Sequence, residues 1–216
     1  MNSFKILLSA SVLALAGTAA IAQPSGSQIL NNQINLNNNW SNLNTTVGVI
    51  GGDVVVQGAA AGNLIDITTM NDTTVVNNQN VGPNASIGSN VTLGANHVGG
   101  SIGVQNQVIC NGASVSTDPV LTAVNSNQEC NAADPFSQIN ANVTDIAGNV
   151  VVKGSAVANS FEADSNAPNM PIVTQQINTS GSVSNITAGV FNTGGSVGVS
   201  STAVGNTAQI IHYNTH

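Results

Sequence analysis

The strongest constraint on this chain is that it repeats itself. A block of 23 residues occurs four times without a gap: SNLNTTVGVIGGDVVVQGAAAGN at 41–63, SNVTLGANHVGGSIGVQNQVICN at 89–111, SQINANVTDIAGNVVVKGSAVAN at 137–159 and SNITAGVFNTGGSVGVSSTAVGN at 184–206. The block starts lie 48, 48 and 47 residues apart. Four columns are invariant: Ser41/Ser89/Ser137/Ser184, Gly52/Gly100/Gly148/Gly195, Val56/Val104/Val152/Val199 and Asn63/Asn111/Asn159/Asn206. An even period of this length is the signature of stacked repeats, in which each unit buries its apolar face only against its neighbours.

The intervening segments repeat more loosely. Each block follows an apolar residue or pair and a run of polar residues ending in Gln: Ile29-Leu30-Asn31-Asn32-Gln33, Val75-Val76-Asn77-Asn78-Gln79, Val124-Asn125-Ser126-Asn127-Gln128 and Ile172-Val173-Thr174-Gln175-Gln176. The unit is therefore about 47 residues, and the chain divides into four of them, at 29–73, 74–120, 121–170 and 171–211. Prolines fall in the links, at Pro119, Pro168 and Pro171, as loops allow.

Within a block, Gly-Gly-x-Val-x-Val alternates apolar and polar residues after a flexible pair, the period of a half-buried strand. Columns near Ala60 and Gly62 are small, which suits close approach to another backbone. No apolar stripe of helical period recurs. The expected fold is all-β, a repeat-built β-solenoid like a parallel β-helix, with a β-sandwich as the alternative. In a solenoid the Val columns stack as core and the Asn columns as amide ladders or turns. Two coils per unit would give a rod of about 38 Å. Its ends would be open sheet edges, and the C-terminal segment around Ile211 and Tyr213, which lacks charged side chains, is the expected terminal contact.

Composition excludes several function classes. The chain holds two Lys/Arg against nine Asp/Glu, and 33 Asn with 22 Gly make up about a quarter of its 216 residues. Nucleic-acid binding requires clustered cations, and adhesion to anionic lipid requires the same. Only Lys153 follows the leader. Residues 1–22 read as a secretory signal, with Lys5 before an apolar run and Ala20-Ile21-Ala22 as the cleavage motif, so the mature chain is expected to begin at Gln23. No later apolar stretch is long enough to span a bilayer as a helix. Export makes a Cys110–Cys130 disulfide the default, with free thiols or a two-cysteine metal site as alternatives.

The segment Val204-Gly205-Asn206-Thr207-Ala208-Gln209, with its counterpart Ala61-Gly62-Asn63, resembles the Gly-Asn-x-Ala core of curli-type repeats. The Asn-rich exported repeat also looks like the attachment proteins that anchor the holdfast of stalked bacteria. The resemblance implies a surface fibre protein built on Gln and Asn ladders. Curli repeats are about half as long, and their Gln residues are placed differently. Ala85-Ser86-Ile87-Gly88-Ser89-Asn90-Val91-Thr92-Leu93-Gly94 is similar to the coils of trimeric adhesin heads, but this pattern occurs once.

Chemistry-bearing residues are sparse. Of the acids Asp53, Asp66, Asp72, Asp118, Glu129, Asp134, Asp145, Glu162 and Asp164, none occurs in the same column of more than two repeats, and His97, His212 and His216 are dispersed. Gly51-Gly52-Asp53 does not continue as a calcium-binding nonapeptide. Trp40 is placed either to pack the N-terminal cap or to stack on a sugar. The reading is a non-enzymatic, exported surface or matrix protein of adhesion, holdfast or fibre assembly. It uses no cofactor, and its partners are copies of itself or other fibre subunits, with polysaccharide as a further partner. The Asn and Val columns are its assembly positions. The alternative is a monomeric β-helix that binds or cleaves carbohydrate, which should gather its acids and aromatics in one groove.

Overall fold

The structure is a computed structural model that describes residues 22–23, 26–118, 122–167 and 169–213. Most of the expected leader, the Pro119 and Pro168 links and His216 lie outside the described residues.

The chain is a β-solenoid of four coils, each made of three strands. The first coil comprises β2 (Gly26–Asn35), β3 (Asn39–Val47) and β4 (Val54–Thr69), preceded by the short β1 (Ala22–Gln23). The second comprises β5 (Thr73–Val81), β6 (Ser86–Val98) and β7 (Ile102–Thr117). The third comprises β8 (Thr122–Cys130), β9 (Ala133–Ile146) and β10 (Val150–Ser165), and the fourth β11 (Ile172–Asn178), β12 (Val183–Thr193) and β13 (Val197–His212). Equivalent strands of successive coils pair in parallel, giving three sheets: β1-β2-β5-β8-β11 (sheet A), β3-β6-β9-β12 (sheet B) and β4-β7-β10-β13 (sheet C).

One repeat therefore makes one coil, and four coils rise about 19 Å, half the height that two coils per unit would give. The unit is long because it must circle the whole cross-section. The sequence alignment is also the strand register. Ser41↔Ser89 and Val56↔Val104 face each other across neighbouring strands, as do Asn111↔Asn159 and Asn159↔Asn206.

Inside the coils, alternate residues of each strand point inward. Val54, Val56, Leu93, Val104, Ile139 and Val152 belong to one core cluster between sheets B and C, and a second cluster around Val75, Val115, Val124 and Phe161 fills the opposite end. Between them lies the disulfide of Cys110 (β7) and Cys130 (β8), with a Cα–Cα distance of 6.1 Å. It ties the second coil to the third across the interior, and both sulfur residues are fully buried.

Two backbone features explain the invariant columns. In the long strands of sheet C the inward alternation changes phase at Asn, so Cys110 and Asn111, and likewise Ala158 and Asn159, are buried in succession. The strand bends there, and the Asn amide fills the bend. At the corner between sheets B and C, coils stack backbone on backbone. A Cβ on Gly148 would stand 2.7 Å from the Gly100 carbonyl, and one on Gly195 2.7 Å from the Gly148 carbonyl, so these positions admit only glycine, whereas Gly52 in the first coil has open space around it. Gly62 is similarly constrained, because a Cβ there would lie 2.5 Å from the Cys110 carbonyl oxygen.

Candidate functional site

The repeated polar columns form ladders that run through the stack. In the Asn column, Asn63 Nδ2 donates to Asn111 Oδ1 (2.9 Å), Asn111 Nδ2 to Asn159 Oδ1 (2.8 Å) and Asn159 Nδ2 to Asn206 Oδ1 (2.8 Å). The second proton of each amide goes to a backbone carbonyl of sheet A: Asn63 to Asn80 O, Asn111 to Glu129 O and Asn159 to Ile177 O. These buried amides hold sheet C against sheet A as well as coil against coil. Unpaired, each would carry the desolvation cost of a buried polar group, about 1–3 kcal/mol.

A second ladder uses the Gln that ends each intervening motif, a column absent from the assembly positions expected from sequence. Gln79 Nε2 donates to Gln33 Oε1 (2.9 Å), Gln128 to Gln79 (2.9 Å) and Gln176 to Gln128 (2.8 Å). The spare protons go to Leu64 O, Gly112 O, Ser160 O and Thr207 O. The signal was present in sequence, since Gln33, Gln79, Gln128 and Gln176 occupy one position of the motif. A third ladder lines the glycine corner, where the side-chain oxygens of Asp53, Ser101 and Asn149 accept the backbone N–H of Ser101, Asn149 and Ser196 in the next coil.

The terminal coils differ from the inner ones. Among the described residues, every exposed large apolar side chain falls at 30–70 or 173–213, and none in the two inner coils. Part of this follows from the open stack: Val199 occupies the core column of Val56, Val104 and Val152, which are buried, yet it is 52% exposed because no coil covers it. Asn206 is likewise exposed, whereas Asn111 and Asn159 are fully buried. Other exposed apolar residues point away from the core by strand alternation, namely Leu30, Ile34, Val173 and Ile177 on the outside of sheet A. In the inner coils the Leu30 column continues as Val76 and Asn125 before Val173, and the Ile34 column as Asn80 and Glu129 before Ile177. Ile211 lies on the edge strand β13 opposite Asp164, and the half-exposed Tyr213 follows it, its N–H bonded to Ser165 O at 2.9 Å.

The remaining candidates are spread over the molecule. His97, Asp145 and Asn192 occupy one turn column with φ of 58°, 54° and 54°, a left-handed conformation that Asn, Asp and His tolerate better than most residues. They are cross-linked, with His97 Nε2 3.2 Å from Asp145 Oδ2 and Asn192 Nδ2 donating to Asp145 Oδ1. A ring nitrogen of His212 contacts Ala167 O. Asp134 accepts from the Gly181 N–H, and Glu129 from Asn80 Nδ2. Asp66, Glu162 and Asp164 share the outer face of sheet C. Among the described residues no three His, Cys, Asp or Glu side chains are grouped to hold a metal ion. Trp40 does not cap the end; it lies on the outer face of sheet B over Gly88 and approaches Phe136, ring centroids 6.4 Å apart.

No protein-family description, no curated protein and no solved structure matches the chain. No helix among the described residues is long and apolar enough to cross a membrane.

Proposed function

We propose that this chain is an exported structural protein of the cell surface or extracellular matrix, a subunit in adhesion, holdfast or fibre assembly that works by associating through the open ends of its solenoid. The observation that carries the reading is the confinement, among the described residues, of exposed large apolar side chains to the two terminal coils. Exposed apolar groups clustered on an open sheet edge mark an interaction surface. Low charge supports it, because residues 172–213 contain no Asp, Glu, Lys or Arg to oppose close approach of another copy. The leader-like segment at 1–22 and the buried disulfide fit export into an oxidising compartment. The curli-like and holdfast-like repeat style points the same way.

The test is electron microscopy of purified residues 23–216, incubated at neutral pH. Elongated assemblies are the expected result; particles that stay monodisperse at all concentrations would refute self-association.

A second reading, binding of a neutral polysaccharide, is favoured by the outer face of sheet B. Between its corners this face carries Asn42, Asn90, Gln138, Asn185 and Asn140 with Thr92 and Thr187, flanked by the Trp40–Phe136 pair, and no charged side chain. Amide rows beside aromatic rings suit sugar hydroxyls and sugar faces. Retention of the monomer on an uncharged glycan matrix, lost on Trp40→Ala, would support it.

A further inference from the structure

Resting on the reading of the chain as a self-associating subunit, we infer that the joint is directional: the fourth coil of one copy stacks on the first coil of the next, in the register that joins coils within the chain. The partner is a second copy of this chain, and the two ends of the solenoid are its complementary halves.

The hydrogen bonds of each ladder all run one way. In the Asn ladder every inter-coil donor points toward the C-terminal coil, and in the Gln ladder every one points toward the N-terminal coil. The amides cannot be turned over, because the second proton of each internal rung is given to a backbone carbonyl, which only accepts. The two ends are therefore chemically different. The C-terminal end presents the Asn206 amide donor, the Gln176 Oε1 acceptor and the Ser196 hydroxyl that ends the corner ladder. The N-terminal end carries the Asn63 Oδ1 acceptor, the Gln33 amide donor and the Asp53 N–H, with Asn63 buried to 7% exposure where Asn206 is exposed. Each group on one end is the missing next rung of its own ladder on the other.

The side chains outside the core agree. Continuing the register places Val173 beside Leu30 and Ile177 beside Ile34 of the next copy, so these four outward apolar residues of sheet A adjoin one another. The Asp53 and Asp66 columns end in Ser196 and Gln209, so no acid meets an acid across the joint. The strand lengths fit as well. Among the described residues β1 pairs with Gly26 and Ser27 of β2 only, and Ile29–Asn35 is the span whose column partners are the seven residues of β11, Ile172–Asn178. Turning one copy over to join two C-terminal coils would make the strands antiparallel and take each column off its continuation. Because the contact joins two different surfaces, it does not close on itself by two-fold symmetry and generates an open filament.

The experiment uses two single-cysteine additions on the outer face of sheet C, Gln57→Cys in the first coil and Ser200→Cys in the fourth, which share a column with Gln105 and Lys153. Neighbours on adjacent parallel strands lie within disulfide reach. The two full-chain variants are oxidised mildly, separately and mixed, with light scattering of the unmodified protein in parallel. Directional stacking gives cross-linked dimers in the mixture, at least tenfold above either variant alone. Cross-linked dimers of Ser200→Cys alone, or of Gln57→Cys alone, at the level of the mixture would overturn the direction while leaving self-association standing. Absence of cross-links together with absence of scattering particles would overturn both.

Discussion

The Asn ladder makes a quantitative claim that an ordinary view of repeat proteins would not. Asn111 is fully buried, donates to Glu129 O (2.9 Å) and Asn159 Oδ1 (2.8 Å), and accepts from Asn63 Nδ2 (2.9 Å). Asn111→Ala removes all three bonds, about 3 kcal/mol at about 1 kcal/mol net for each. It also strands buried polar groups, Asn159 Oδ1 among them, which brings the cost to about 4 kcal/mol. Val104→Ala at a nearly buried core column should cost about 2 kcal/mol. Asn206→Ala, at the exposed end of the same ladder, loses one bond from Asn159 and one to Gln176 O in reach of water, about 1 kcal/mol. Guanidinium unfolding followed by far-ultraviolet circular dichroism measures all three, from the midpoints and a shared slope. The expected order is Asn111→Ala, then Val104→Ala, then Asn206→Ala. If Asn111→Ala cost no more than Asn206→Ala, the ladder would be surface decoration and the reasoning would fail.

Other expectations follow from the same geometry. Replacing Cys110 and Cys130 together by Ala releases a cross-link separated by 20 residues and should cost about 3 kcal/mol, read as a lowered unfolding midpoint equal to that of the reduced protein. Gly148→Ala places a methyl against the Gly100 carbonyl and should destabilise by about 1–3 kcal/mol, whereas Gly103→Ala, with open space around its Cβ, should be nearly neutral in the same assay. Val173→Lys with Ile177→Lys alters only outward side chains, so the monomer should keep its unfolding midpoint while light scattering shows assembly reduced at least tenfold; the same holds for Ile211→Lys with Tyr213→Lys at the β13 edge.

Much of the fold was legible because a stacked repeat writes its register into its spacing. The gapless alignment of Val56 with Val104, Val152 and Val199 is the pairing of β4, β7, β10 and β13. The disulfide of Cys110 and Cys130 was legible from export and cysteine count. What the spacing does not carry is how often the chain turns within one unit. The bend at Cys110–Asn111 lies inside one continuous strand and is marked only by a break in the inward alternation, so the spacing leaves one coil or two per unit open. The Gln column was visible as a motif, but nothing local shows that Gln33 and Gln176 face the interior at opposite ends of the stack. The outward placement of Leu30 and Val173 depends on strand phase, which an Asn-rich run with apolar residues on both faces leaves undefined. Trp40 is held by the absence of a side chain at Gly88, a relation between residues 48 positions apart that only the register reveals.

The most direct test of the account is the axial repeat of assemblies formed by residues 23–216, measured by helical reconstruction from electron micrographs. Four coils per subunit stacked in one direction give a rise of about 19 Å per subunit on a continuous strand spacing of about 4.8 Å. A repeat of about 38 Å containing two oppositely directed subunits, a break in the strand spacing at each joint, or no ordered assembly would contradict it.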